Sequence, residues 1–388
     1  MTAARETQLT HGPGGRILTN CNVWSPDGQW VVYDTRSDPA GDRFEGSRIE
    51  MVNTFSSEVR VLYESRNGAH CGAATWHPSE PKIVFILGPE FPTADWSYGP
   101  SHRQGVIVDV RNPGIAVPMD ACDLVPPFTP GALSGGTHLH VWHPLGDWIS
   151  FTYEDALVNA GRCIGVSIPD RPVIVLKSHP RNHDGSHFSV LVTVTGEGLL
   201  RACEEAWVGS SRSLAFQGEI EPGYREVFIA EVPDDPVTYA TAIRRLTDTT
   251  AHRYPGIGGP RHWLHSSPNG SQIGFLKRDD AGIAQFWTVS PLSGEPKQIT
   301  QGQHPVASAF TWHPDGKHVA FVLNNTVCLC DVETGEEKDL TDPQDDPIRP
   351  EACVVSPNGN RVAFVRQRGG ANQICVFEVG GPGFEPGT

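Results

Sequence analysis

Short apolar runs alternate with turn residues along nearly the whole chain. No stretch of about 12 residues places apolar side chains convincingly at i, i+3, i+4 and i+7. The pattern predicts many strands and few, short helices. Four segments share one template: Val23-Trp24-Ser25-Pro26-Asp27-Gly28, Thr75-Trp76-His77-Pro78, Val141-Trp142-His143-Pro144-Leu145-Gly146 and Thr311-Trp312-His313-Pro314-Asp315-Gly316. Ser266-Ser267-Pro268-Asn269-Gly270 and Val355-Ser356-Pro357-Asn358-Gly359 are relaxed copies. In each, a strand runs into a turn and a second β-rich strand follows, such as Trp30-Val31-Val32-Tyr33 or Val319-Ala320-Phe321-Val322. Proline presets φ at the first corner and Gly or Asn accepts the unusual φ later, so these are hairpin signals with a mechanism.

The turn prolines fall at 26, 78, 144, 268, 314 and 357, and the gap from 144 to 268 is about twice the others. A degenerate unit is expected there, with Ser186-His187-Phe188-Ser189-Val190-Leu191-Val192 as its first strand and Thr195-Gly196-Glu197-Gly198 as its turn. That makes seven units of roughly 40 to 70 residues, the size of a four-stranded propeller blade. A second repeat, Leu/Ile-Thr, closes units at Leu246-Thr247, Ile299-Thr300 and Leu340-Thr341. An orphan copy, Leu9-Thr10, lies at the N-terminus, while the last unit ends at Ile374-Cys375-Val376-Phe377 without one. The expectation is an all-β, seven-bladed β-propeller, one domain over 1–388, closed by the N-terminal strand completing the last blade; that closure removes two free sheet edges.

Composition agrees: charged residues are 19% of the chain, with 41 Gly and 33 Pro. The formal net charge of −15 argues against nucleic acid as a partner, although a few local arginines suffice for a small anion. No apolar run approaches the roughly 20 residues of a membrane span, so no membrane partner is expected. Met1 to Gln8 lack a secretory pattern, which points to the cytoplasm without excluding secretion. The nine cysteines show no CxxC or framework spacing and read as free thiols in a reducing compartment. A monomer is expected.

In a propeller the first strand of each blade lines the central channel. Counting six residues back from each turn proline picks Asn20, Gly72, His138, His262, Ser308 and Glu351, with His187 in the degenerate blade; Asn22, His70, Thr137, His140 and Arg261 are neighbours. Loops on the same face carry Asp34 and Arg36, His102 and Arg103, Asp155 and Arg162, and Arg278, Asp279 and Asp280. His77, His143 and His313 follow the turn Trp and read as pins of the blade turns, Asp34 and Arg36 as an ion pair between blades or as site residues, and Asp279 and Asp280 as a solvated turn. His138-Leu139-His140 would put two imidazoles on one strand face. They could hold a divalent cation, calcium or manganese, with a third ligand from His187, His262 or Glu351. There is no GxSxG, phosphate loop or HExxH. Histidine and arginine without a nucleophile suit proton abstraction next to a carboxylate, as in β-elimination on a uronic acid.

The segments Leu18-Thr19-Asn20-x-Asn22, Gly68-Ala69-His70, His102-Arg103-x-Gly105-Val106, Gly135-Gly136-Thr137-His138-x-His140, His179-Pro180-Arg181, Gly185-Ser186-His187 and Pro260-Arg261-His262-Trp263 resemble a family of microbial propellers similar to oligogalacturonate lyases and to the propeller of the Tol system. The resemblance covers nearly the whole chain. It implies a polysaccharide lyase, most specifically an L-rhamnose-α-1,4-D-glucuronate lyase releasing terminal rhamnose from gum arabic side chains, with an acidic oligosaccharide or polysaccharide as substrate. The oligogalacturonate lyases use a His base, an Arg and a His-rich metal site; here HxH falls in the third blade rather than late in the chain. The candidate catalytic residues are His102 or His138 as base or acid, with Arg162 holding the carboxylate. His70, Arg103, His187, Arg261, His262, Asn20 and Arg36 would line the sugar pocket. The alternatives are a non-catalytic propeller binding a protein or peptide in its funnel, or a glycoside hydrolase using Asp155 and Glu351.

Overall fold

Seven four-stranded antiparallel sheets account for almost all regular structure in the computed structural model, which describes residues 6–196, 198–261, 263–292, 294–351 and 353–379. From the channel outward, the first blade is Gly15–Ile17, Trp30–Arg36, Arg48–Asn53 and Val59–Glu64, and the second Cys71–Trp76, Lys82–Leu87, Gln104–Asp109 and Ala116–Pro118. The third is Gly135–Trp142, Ile149–Asp155, Cys163–Ile168 and Phe188–Leu191, and the fourth Arg201–Trp207, Ser213–Glu221, Tyr224–Glu231 and Ala242–Arg245. The fifth blade opens at His265–Ser266 and the sixth at Thr311–Trp312. The seventh runs Val354–Val355, Arg361–Arg368 and Ala371–Glu378, and its outermost strand is the N-terminal Glu6–Gln8, paired Thr7 to Val376. Among the described residues the only helix is the 3₁₀ turn Pro100–His102. The propeller and its N-terminal closure are as expected.

The repeat has a physical basis in three places. The second strand of every blade buries one aromatic ring, Tyr33, Phe85, Phe151, Phe216, Phe275, Phe321 or Phe364, each at most 1% exposed; burying such a ring stabilises by about 2–3 kcal/mol. The turn histidines lock neighbouring blades: Nε2 of His77, His143 and His313 donates to the carbonyls of Gly146, Ser211 and Gly359 in the next blade's turn, at 2.9, 3.2 and 3.1 Å. Those imidazoles are structural, as expected. In four blades the Leu/Ile-Thr repeat follows the outer strand with a hydroxyl that satisfies an amide of the third strand, Thr10 with Ile374, Thr247 with Val227, Thr300 with Phe286 and Thr341 with Val327, each at 2.9 Å. The orphan copy at the N-terminus therefore completes the seventh blade by the same bond as the others.

The fourth blade differs from expectation. Phe188–Leu191 is the outer strand of the third blade, and the degenerate inner strand is Arg201–Trp207, followed by a turn with no proline. Two signals in the sequence point to this arrangement. Val192-Thr193 is another copy of the closing repeat, with Thr193 Oγ1 accepting from the Ile164 amide at 3.0 Å, and Leu214-Ala215-Phe216 is the missing aromatic second strand. Without a Pro-Gly turn, the propensity of Ser189 to Val192 for a strand did not reveal which strand it was.

The inner strands of blades two, three and four carry the same defect. Ala73, Leu139 and Glu204 have φ of 55°, 58° and 56°, and the register shifts between Gly72 and Thr75, His138 and Val141, and Cys203 and Ala206. Each is a bulge with a non-glycine residue in the left-handed region, which costs on the order of 1 kcal/mol or more and re-aims the side chains around it. Three consecutive blades thus break strand alternation at one height of the channel.

A candidate active site between the second, third and fourth blades

His138 precedes the bulge at Leu139 and sits half-buried in the channel. Burial pushes its imidazole well below the ordinary value, and the guanidiniums of Arg103, Arg162 and Arg201 reinforce the shift. It is therefore neutral at physiological pH, ringed by three positive charges. Its Nε2 accepts from Arg162 at 3.4 Å, a long bond, and its buried Nδ1 has no hydrogen-bond partner. Arg162 is aimed by Glu154, Nε to carboxylate at 2.9 Å. Arg103 donates to the Tyr98 hydroxyl at 3.2 Å, while the buried Nε atoms of Arg103 and Arg201 have no partner. Burial holds the Tyr98 phenol up at about 12 despite the nearby arginines.

Beside this cluster a crevice of about 320 Å³ opens between blades two and three, lined by His102, Arg103, Asp120, Arg181 and His183 among others. Arg103 belongs to both. His102 stacks on Trp96 with centroids 4.0 Å apart, and its Nδ1 lies 3.0 Å from the Ser97 carbonyl. Arg181 ties one wall to the other through the carbonyls of Glu90 and Phe91, at 2.7 and 2.9 Å. Burial pushes the Asp120 carboxyl up, opposed by His183.

The structure thus brings His138, Arg162, Arg103 and His102 to one region and leaves the other expected residues elsewhere. His140 takes different hydrogen-bond partners from His138, although its imidazole still acts electrostatically on it. His140, fully buried and held down to about 3 by that burial, bonds Thr137 at 2.9 Å, which in turn donates to Asp120 at 2.7 Å. His187 precedes an outer strand, with its amide on the Met119 carbonyl and its ring beside Ser186, not at the channel mouth; burial takes it down to about 4. Arg36 pairs with Asp34, 2.5 Å away on the same strand of blade one, so the ion pair does not bridge blades as expected; it is the other Asp34 oxygen that reaches blade two, accepting from the Ala73 amide. It lies over Phe44, which stacks on Tyr98, so it backs the site without lining it. His70 packs edge-on to Tyr98 on a separate crevice. Arg261 pairs with Glu351 at 2.6 Å, and Asn20 is fully buried with its carbonyl oxygen 3.3 Å from His265. His262 lies outside the described residues. Asp279 accepts from the Ala281 and Ile283 amides of its own turn, and Asp155 from Tyr153 and the Leu157 and Val158 amides.

Arg201, Glu154 and Tyr98 are the site residues that sequence reasoning missed, Arg201 because its strand was assigned to the wrong segment. A divalent cation does not fit beside His138, where three guanidiniums would repel it, and no third His, Cys, Asp or Glu among the described residues joins His138 and His140 as a metal-ligating group. The grouping among the described residues that could hold a metal, His313, Asp315 and His318 within 4.8 Å of one another, is on the turn face of the sixth blade.

The fold and site define a seven-bladed propeller with an arginine-ringed neutral histidine at one end of its channel. The chain belongs to the family of YidR from Escherichia coli K12, described as an uncharacterized protein, to which it is 41% identical over 96% of each chain. A family model described as a protein of unknown function (DUF3748) matches residues 70–183, which cover the second blade and the inner three strands of the third. Among solved structures, a manganese-bound oligogalacturonate lyase shares the fold at TM-score 0.62 and 10% identity, covering 97% of this chain and 93% of that one. A Mycobacterium tuberculosis puromycin-hydrolyzing peptidase matches at TM-score 0.56 and 13% identity over 95% of this chain and 55% of that one.

Proposed function

We propose that the protein is a carbon–oxygen lyase cleaving a uronic-acid glycoside by β-elimination. The observation that carries this reading is the neutral imidazole of His138 among Arg103, Arg162 and Arg201. The substrate carboxylate is taken by the guanidiniums, and capture of Arg162 frees His138 Nε2 from its long hydrogen bond. The imidazole then removes the proton at C5, the C5–H electrons form the C4=C5 double bond and the C4–O bond breaks. The arginines stabilise the enolate-like charge that develops on the carboxylate. Tyr98, still protonated and accepting from Arg103, or a water, gives the leaving oxygen its proton. His102 contributes a sugar contact from the crevice wall. The fold shared with an oligogalacturonate lyase supports the class, and the substrate suggested by the sequence motifs is L-rhamnose-α-1,4-D-glucuronate in gum arabic side chains. The test is absorbance near about 235 nm, where a conjugated unsaturated uronate made by such an elimination absorbs, on incubation with gum arabic or pectic oligomers. A rise that disappears in His138→Ala supports the proposal; no rise with either substrate, with and without added manganese or calcium, overturns it.

A further inference from the structure

Below the bulge the channel changes character. A second cavity of about 300 Å³ is lined by Leu139, Val141, Trp142, Trp207 and Trp263. The inner strands of blades three, four and five and the segment after that of blade one (Cys21 and Asn22) all contribute to its wall, which only a cavity on the propeller axis allows. One acidic side chain lines it. Glu205 is 3% exposed; its Oε2 accepts from Thr152 at 2.8 Å, and its buried Oε1 has no hydrogen-bond partner.

The groups acting on Glu205 are hydroxyls and acids: Thr152 and Ser150 from the second strand of blade three and Glu204 on its own strand, with the Cys21 thiol opposite on blade one. No lysine or arginine is among them. The wall also carries the imidazole of His265, neutral because burial holds it down to about 4, and the Cys21 thiol, which burial pushes up. A buried carboxyl without a cation is costly as the ion, and it rises to about 8 accordingly. Indole rings attract cations through their faces, more strongly where water is excluded. The volume sits at the small end of the range for small-molecule sites.

We propose that this lower channel is a second ligand site, taking a small organic ammonium ion whose nitrogen pairs with Glu205 Oε1 and whose apolar body rests on Trp142, Trp207 and Trp263. The ligand supplies the positive charge that the cavity lacks. This proposal is independent of what the arginine-ringed end of the channel does.

The experiment is calorimetric titration of the whole protein with benzylammonium and, separately, with benzyl alcohol as its neutral counterpart. Benzylammonium should bind more tightly than the alcohol and release protons at pH 7, read from the difference between two buffers, because Glu205 ionises as the cation arrives. Its affinity should rise with pH until about 8. Glu205→Gln, which preserves the shape of the protonated acid, should weaken benzylammonium by roughly tenfold or more, the worth of a hydrogen bond to a charged group, and leave benzyl alcohol unchanged. Trp263→Leu, on a connecting loop rather than a strand, should weaken both probes without affecting folding. Absence of binding by benzylammonium overturns the proposal. Equal or tighter binding of the alcohol, or binding of benzylammonium indifferent to Glu205→Gln, overturns it as well.

Discussion

One carboxylate adds a buried ion pair to the strand pairing that closes the ring. Glu6, on the N-terminal strand, accepts from Arg366 Nε and a terminal nitrogen at 3.0 and 3.1 Å, from Arg368 at 2.7 Å and from Gln344 at 3.1 Å. Arg366 is 0% exposed and its other terminal nitrogen donates to the Asp346 carbonyl at 2.7 Å. Glu6→Ala therefore strands a fully buried guanidinium. Removing one partner of a buried pair costs about 3–5 kcal/mol, because the remaining charge is left uncompensated. At about 2.1 cal/mol/K per residue, unfolding of 388 residues carries about 0.8 kcal/mol/K, so the midpoint of a cooperative transition should fall by roughly 4–6 °C. Glu6→Gln keeps an acceptor oxygen and should lose about half as much. The measurements are calorimetric melting and amide exchange of Cys375 to Phe377, which pair with Gln8 to Glu6; exchange there should accelerate before the midpoint is reached. Glu58→Ala, which breaks the exposed pair with Arg60, is the control and should leave the midpoint where it is. A Glu6→Ala protein melting within about 1 °C of the parent, with unchanged exchange in that strand, would refute the argument that this buried pair locks the ring.

Other outcomes follow from the same geometry. Gly146→Ala places a methyl group 2.5 Å from the His77 ring at a φ of 78°, and should destabilise by about 1–3 kcal/mol in a urea melt, from strain and loss of the blade latch together. Arg201→Ala should raise KM for a uronate substrate more than Glu154→Gln does, whereas Glu154→Gln, which releases the aim of Arg162, should lower kcat; steady-state kinetics on the unsaturated product separates them. The acidic limb of kcat/KM should be governed by protonation of His138, so activity should hold as pH falls through 6.5 and be lost only well below it; loss centred at or above 6.5 excludes His138 as the base. His140, His187 and His265 are held neutral, near 3, 4 and 4. The unfolded chain therefore binds more protons below about 6.5, and each histidine removes up to about 1.4 kcal/mol of stability per pH unit on the way down. Glu205, raised to about 8, acts in the opposite sense between about 4.5 and 8. His77, His138 and His143 are lowered as well, while Asp34, Asp120 and Glu337 are raised alongside Glu205; six histidines against four carboxyls predict a midpoint that declines from pH 6.5 to 4.5, checked by melting curves across that range.

The chain by itself determined the ring. Proline and glycine have conformational limits that do not depend on distant residues, so the turns at Pro26, Pro78, Pro144, Pro268, Pro314 and Pro357 announced six blades. Closure was legible in Leu9-Thr10 because a strand-ending hydroxyl has one use, satisfying an amide on the neighbouring strand. The pins His77, His143 and His313 were legible for the same reason of repetition. The site was legible only in part. Counting back from the turns found His138, and the loops offered Arg103 and Arg162, but the count assumed a regular strand. The bulge at Leu139 broke that assumption: His138 meets Arg162 while His140 bonds into the Thr137–Asp120 chain, so the two imidazoles take different partners. Arg36, His70 and Arg261 show the other limit. An arginine or histidine on the right loop still belongs to whichever partner packing brings first, Asp34, Tyr98 or Glu351. Burial, which sets both the neutrality of His138 and the raised carboxyl of Glu205, comes from blades far apart in the chain. Only the closed ring decides it.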